Sequence, residues 1–478
     1  MKMNFNRGLS VSLGLFIAGL VIVHAAINDR QAIFKNLAGL AQQATSADPV
    51  ESTAAIRALR DAGPEGMQAL SKTYTIEIAA HQQVGQPSDG AEAAAQWCRL
   101  RAAFDAVGQQ RDDYASQLYW YTNLDQAEVA ARAAGKPILS LRLLGKLNEE
   151  YSCANSRFFR TTLYANHEVS QYLRENFILH WQSERPVPRI TIDMGDGRRI
   201  ERTITGNSIH YILDTEGRPV DALPGLYGAR AFLDTLKPAV AAARYASALA
   251  GEKRTQFVRD YHVARLAETE KQWSRDLAQA GVTVPPASSI SSSSGFRGNP
   301  YANQAAFLAV SKSAIETPLL LDGAFARTGA GAEWDRLDSS SSDAVWQEIA
   351  ALHAGEAQLD PGALALIRAQ QPNLANAMRL TASKMVVETP MMRLIRNLQR
   401  SIAEDTVRNE YELHARLHEW FVQGVAPTNL DALNARVYAE IFLTPDSDPW
   451  LGLAPEDIFS ALDNGGLVQN QPQTQVKP

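Results

Sequence analysis

Cysteine is nearly absent: 478 residues carry two, Cys98 and Cys153. Two thiols are too few for a disulfide-stapled scaffold or a four-thiolate zinc site, and no C-x-x-C-H haem attachment occurs. An excess of basic charge is also missing. Lys and Arg number 46 against 52 Asp and Glu, a formal charge of −6. With no basic patch or stripe along the chain, a nucleic-acid partner is not expected. There is no phosphate-binding glycine loop and no G-x-S-x-G elbow. The turns "DMGDGRR" and "DTEGRP" are acidic but lack the run of oxygen ligands of a calcium loop. No metal and no cofactor is expected.

Long apolar runs are missing with one exception. After "MKMNFNRG", which holds Lys2 and Arg7 and no acid, "LSVSLGLFIAGLVIVHAA" is apolar from Leu9 to Ala26. A short basic start, an apolar middle and a small-residue end describe an export signal over 1–26, with Val23 and Ala25 at the −3 and −1 positions of a cut before Ala26. The run is near the lower limit for spanning a bilayer, so an uncleaved anchor is the alternative. Either way the chain is expected in the periplasm or on the outer face of the inner membrane, touching membrane only through this segment. An oxidising compartment would permit Cys98 and Cys153 to pair, although spacing alone cannot bring them together.

What is present is the composition of a folded protein, 45% hydrophobic and 21% charged. At roughly 100–200 residues per domain, two or three domains are expected. Residues 27–116 read as a helical region, with "AAIRALRDAG" and "AEAAAQWCRLRAAFDAV" at helical apolar spacing. "WCRL" lacks a second cysteine and sits mid-helix, so Cys98 is expected to be a buried structural thiol. The texture changes over 117–245. "DQAEVAARAAGK" reads as helix, "PILSLRLL" as strand, the Cys153 stretch as a helix start, "HEVSQYLREN" as helix and "FILHW" as strand. "RITIDMGDGRRIERTIT" reads as a hairpin, "SIHYILD" and "PVDALPG" as a strand pair, and "GARAFLDTL" opens a closing helix. This predicts an α/β domain with a central mixed sheet, flanking helices and an inserted β-hairpin, between mainly α-helical N- and C-terminal regions. A helical extension covers 246–282, a Ser/Pro/Gly linker 283–303, a helical domain 304–467 and a disordered tail 468–478. "SKSAIETPLL" from Ser311 echoes "SKMVVETPMM" from Ser383, which reads either as a duplicated helical hairpin or, the reading favoured here, as a Thr-Pro helix start used twice.

The stretch from Tyr119 to about Ala239, a quarter of the chain, resembles the thioredoxin superfamily, in particular exported thioredoxin-like proteins. The resemblance is carried by Trp120, "AEVAARAAGKPILS", the cysteine helix, "TLYANHEVSQYLRENFIL" and "HYILDTEGRPVDALPGLYGARAFLDTL". The remainder is similar to exported bacterial proteins that share the "DPWLGL" ending, a likeness that brings no function. The family's C-x-x-C is here Cys153-Ala154-Asn155-Ser156. Its cis-proline maps onto Ser208 in "TGNSIHYILD". A serine there is expected to be trans, because a non-proline cis bond costs about 2.5–4 kcal/mol.

The resemblance places Cys153 at a helix N-terminus, where unpaired amides and the helix dipole favour a thiolate and Arg157 and Arg160 add positive charge. Such a sulfur could attack a partner disulfide, but Ser156 can only donate a hydrogen bond and cannot resolve the mixed disulfide. Cys98 is left as the one distant thiol partner, and Asn207 and Ser208 would shape the opposing wall of the groove. The implied function is thiol-dependent binding of a protein partner, one that can itself carry a thiol, or disulfide exchange of a monothiol, isomerase type. The alternative is a non-catalytic interaction scaffold. A Cys–His hydrolase would need His167, His180 or His210 as base, but the latter two sit on strands and read as structural. Finally, Glu410, His414 and His418 follow one another at four-residue steps. That face could bind a metal, yet "HARLH" lacks the glutamate of H-E-x-x-H, and a solvated helix face is expected.

Overall fold

The computed structural model describes residues 36–82, 90–203, 206–281, 342–371 and 390–451. The expected export segment, the 283–303 linker, the tail, the first Thr-Pro decapeptide and most of the second lie outside the described residues. Among the described residues no helix is long and apolar enough to cross a membrane. The chain divides into two compact units, one ending at Trp120 and the other beginning at Tyr121.

The first unit is helical. After a first helical stretch from residue 36, its helices are Pro49–Asp61, Pro64–Thr73, Thr75–Gln82 and Ala91–Gly108. Asp48 caps the first by accepting from the amide of Val50 at 2.8 Å, and Pro49 fills the first turn, where its missing N–H costs nothing. Leu59, Leu70, Phe104 and Val107 form the core. Arg60 ties the last helix to the end of the unit, donating to the carbonyls of Val107 at 2.9 Å and Trp120 at 2.6 Å. Cys98 is exposed rather than buried. The inward face of its helix is set by Leu100, Ala103, Phe104 and Val107, and Cys98 precedes Leu100 by two residues, about 200° around the axis.

The second unit is built on a mixed sheet with strand order β1-β3-β2-β6-β7. Its strands are β1 (Trp120–Tyr121), β2 (Ile138–Leu144), β3 (Ile178–Arg185), β6 (Ser208–Leu213) and β7 (Pro219–Pro224). The hairpin pair β4 (Arg189–Asp193) and β5 (Arg199–Thr203) forms a separate antiparallel ribbon whose turn uses Gly195 and Gly197 at φ 77° and 91°. β2 pairs with β3 in parallel, Ile138 opposite Ile178, and antiparallel with β6, Leu143 opposite Ser208. β2, β6 and β7 are buried at every position, which explains why their sequences read as continuous apolar runs. The α/β layout with an inserted hairpin and a helical remainder is therefore present. No peptide bond among the described residues is cis, Ser208 included.

Local chemistry sets the element ends. Asn123 caps helix Leu124–Ala134, and Gly135 ends it at φ 62°, so that Pro137 can lead into β2. Asn166 caps helix His167–Asn176. Helix Ala229–Ser247 covers the sheet, and the 29-residue helix Gly251–Gln279 follows. The C-terminal helices, separated from the sheet by a linker in the sequence, pack inside this same unit. Thr406 accepts from the amide of Gly228 at 2.8 Å, and Asn409 donates to the carbonyl of Leu226 at 2.8 Å. Asn409 lies so close to Gly225 (φ 78°) that an added Cβ would stand 2.5 Å from its amide nitrogen.

A buried clasp joins the β6–β7 turn to the long helix. Asp214 accepts from the side chains of Arg218 and Arg254, each at 2.9 Å, and from the amides of Glu216 and Arg218. Removing one partner of a buried ion pair strands the other charge away from water. Asp214→Ala is therefore expected to lower unfolding free energy by about 3–5 kcal/mol in urea titration. A loss below about 1 kcal/mol, the worth of an exposed pair, would contradict the clasp.

Candidate functional site

The sequence-derived thiol site is assembled, but closed. Cys153 occupies the N-cap of a five-residue helix, Ala154–Phe158, that follows β2, and its amide donates to the carbonyl of Leu144 at 3.0 Å. The residue is 0% exposed. Ser156 turns its hydroxyl back onto the Cys153 carbonyl at 2.8 Å. Arg157 donates to the Ser152 carbonyl and to Thr203 of β5, and Arg160 to the carbonyls of Leu147, Glu149 and Glu150. Both guanidinium groups thus bind the loop before the helix.

On the opposing wall, Asn155 donates to the carbonyl of Gly206, and Ser208 is buried with no hydrogen-bond partner for its hydroxyl. Asn207 is held by the C-terminal segment: its amide donates to Thr444 at 3.0 Å, and Tyr438 donates to its carbonyl at 3.2 Å. Tyr438 is buried. Burial pushes its hydroxyl pKa well up, and the nearby Glu184 carboxylate acts in the same direction. Arg185 of β3 donates to the carbonyls of Thr444, Pro445 and Asp448. The stretch 430–451 therefore packs against Asn207 and Arg185. Cys98 and Cys153 are both free thiols.

None of the three histidines considered as bases is placed as one. His167 begins an exposed helix turn. His180 shares a hydrogen bond with Ser140 at 2.8 Å, and His210 with Tyr164 at 2.6 Å. Burial pushes each imidazole down to about 3, so both are neutral structural groups.

The richest chemistry lies elsewhere, where the expectation of a solvated face fails. His414 and His418 are both 0% exposed. They lie between β7 and the long helix, on a stretch where a π-helical turn, Asn409–His414, interrupts helix Pro390–Arg408 before Ala415–Val422 continues. His414 donates from Nδ1 to Glu410 at 2.9 Å and from Nε2 to Asp221 at 3.1 Å. Both ring nitrogens face carboxylates, so both carry protons. Burial opposes that charge, but Glu410 and Asp221 outweigh it and raise the imidazole to about 10. Burial likewise opposes ionisation of Asp221, yet the His414 charge holds its carboxyl well below the usual range. Asp221 also accepts from the hydroxyl of Tyr261 at 2.6 Å and the amide of Ala222 at 2.8 Å.

Beside this pair His262, from the long helix, donates from Nε2 to the carbonyl of Val220 at 2.8 Å. Burial lowers it to about 4, so it is neutral and its Nδ1 is an acceptor. That atom stands 2.8 Å from Nδ1 of His418, which is also held neutral, first by burial and then by the His414 charge. Asp221, His262 and His418 each offer one ligand atom, all within 4.8 Å of one another.

Glu410 links the cluster to a polar cleft of about 330 Å³, lined also by Tyr227, Thr269, His353, Glu356 and Tyr411. Tyr227 and Thr269 donate to Glu410 at 3.3 and 3.4 Å. On the far side His353 bridges Glu356 and Asp276, 2.8 Å from each. The Glu410–His414–His418 spacing was the only sequence signal for this region. Asp221, Tyr261 and His262 carried none, because their partners in the cluster are 40 to 193 positions away.

Hydrogen bonding to Glu356, with Asp276 adding to it against burial, raises His353 to about 9. A folded-state value above the unfolded ~6.5 makes the contribution full below pH ~6.5 and lost as pH rises through about 9. The difference in urea midpoint between the native chain and His353→Gln is expected to be largest near pH 6 and to shrink toward pH 9.5. A pH-independent difference would refute it. Compared with known proteins, the chain matches no family model, and no curated protein or solved structure is significantly similar to it.

Proposed function

We propose that the chain is a thioredoxin-like interaction protein of the cell envelope in which Cys153 serves as a structural thiol, not as a redox nucleophile. The observation that carries this reading is the complete burial of Cys153. A thiolate must reach its disulfide in line, and a sulfur without exposed surface does not do so while the native packing holds. Ser156 is committed to a backbone carbonyl, so it does not supply the hydrogen bond to sulfur that a monothiol mechanism would use. The thioredoxin-like reading is supported by the order of elements. A buried strand runs into a cysteine at a helix N-cap, a parallel strand follows, and an antiparallel pair and a closing helix complete the unit. Export is supported by the basic and apolar N-terminal sequence.

In this reading the chain's own residues 430–451 occupy the place of a partner segment. Thr444 accepts from the Asn207 side-chain amide, Tyr438 donates to the Asn207 carbonyl, and Asp431 pairs with the buried Arg142 at 2.9 Å. Partner contacts then belong to the outer surfaces of the protein, in keeping with fold analogy.

Alkylation of the native full chain with iodoacetamide, followed by peptide mass spectrometry, tests this. Cys98 is expected to label promptly, and Cys153 on the order of 100-fold or more slowly, through local opening. Tyr438→Ala should speed Cys153 labelling and leave Cys98 unchanged. Equal native labelling of the two cysteines, together with trapped mixed disulfides that vanish in Cys153→Ser, would establish a redox role and overturn the proposal.

A further inference from the structure

We propose that Asp221, His262 and His418 bind one divalent transition-metal ion of the zinc class, which pins the C-terminal helix and the long helix to the sheet. The three residues come from β7, helix Gly251–Gln279 and helix Ala415–Val422, and all are buried. Their ligand atoms converge within 4.8 Å. Convergence of this kind from positions so distant in sequence has a cost, since buried polar groups must find partners.

The orientation of the rings fits coordination. The His262 Nε2–H is fixed on the Val220 carbonyl at 2.8 Å, which leaves Nδ1 as a lone pair aimed at His418. A backbone carbonyl on the far nitrogen is the usual outer partner of a ligating imidazole. His262 is further held by stacking on Phe421, ring centroids 4.1 Å apart and planes 10° apart. Two imidazole Nδ1 atoms 2.8 Å apart share either a proton or a cation. In the metal-free network His418 donates that proton. On binding, it moves to His418 Nε2, which has no hydrogen-bond partner among the described residues, and both Nδ1 lone pairs face the ion.

Two of the three separations between ligand atoms lie close to what an ion requires, and the third is within 4.8 Å. Zn–N bonds of about 2.0–2.1 Å at a tetrahedral angle separate two ligand atoms by about 3.3 Å. The two Nδ1 atoms are 2.8 Å apart, and Asp221 Oδ1 is 4.0 Å from His418 Nδ1. Shifts of well under an ångström on each ring meet both. Tyr261, Ala222 and His414 already orient the Asp221 carboxylate from outside. Two carboxylates, Asp221 and Glu410, surround the single charge of His414, so the cluster has negative charge to offer a cation. Two nitrogen ligands favour zinc, cobalt, nickel or copper over calcium and magnesium, which take oxygen.

The test uses the full chain, stripped with EDTA and dialysed, with zinc and cobalt(II) as probes. One tightly held zinc per chain is expected after desalting, with visible d–d absorption for cobalt and a rise in unfolding temperature with zinc. His262→Gln and His418→Gln should each weaken binding by on the order of 100-fold. Cys98→Ser and His167→Gln should leave it unchanged. Less than a tenth of an ion per wild-type chain, or no zinc-dependent rise in its unfolding temperature, overturns the proposal even if the ligand variants do not fold. Undiminished binding in His262→Gln or His418→Gln overturns it as well.

Discussion

The second unit depends on one charged imidazole. His414 stands between Glu410, four residues before it on its own helix, and Asp221 on β7. A carboxylate buried without a partner would be strongly disfavoured, and so would an isolated imidazolium. Together they form a hydrogen-bonded triad in which each member makes the burial of the others tolerable. The triad needs the C-terminal helix, the sheet and, through Tyr261, the long helix to be in register at once. It therefore couples segments that the sequence separates by a long Ser- and Pro-rich stretch. Deleting one member costs more than the whole is worth relative to an apolar core, and such a network acts as a specifier of one arrangement more than as a source of stability.

The thiol shows the opposite situation. It stands at a helix start, one loop beyond a buried strand, but its surroundings withdraw it from solvent. The nearby arginines are engaged by carbonyls of the loop 147–152 and by Thr203. Position on a fold and accessibility are separate properties, and Cys153 has the first without the second.

Legibility in the sequence followed locality. The strands β2, β6 and β7, the "GKP" helix end and the Gly195–Gly197 turn were readable because period, caps and turn residues are local signals. Cys98 was misread because an Ala-rich helix offers little contrast between its faces. His414 and His418 were misread for a deeper reason. Polar residues at helical spacing look solvated unless their partners are known, and those partners sit on β7 and on the long helix. The π turn at Asn409–His414 also shifts the helical phase, so the apolar positions before it do not forecast which residues after it face inward.

The hold on the Asn207 loop has a temporal side. Tyr438 and Thr444 are made long after Cys153, and a chain grows from its N-terminus at roughly 5–20 residues per second. Between the appearance of the sheet and the arrival of residues 430–451, the Asn207 loop lacks the contacts that Tyr438 and Thr444 later supply. That interval is about ten seconds or more, and completing the polypeptide ends it.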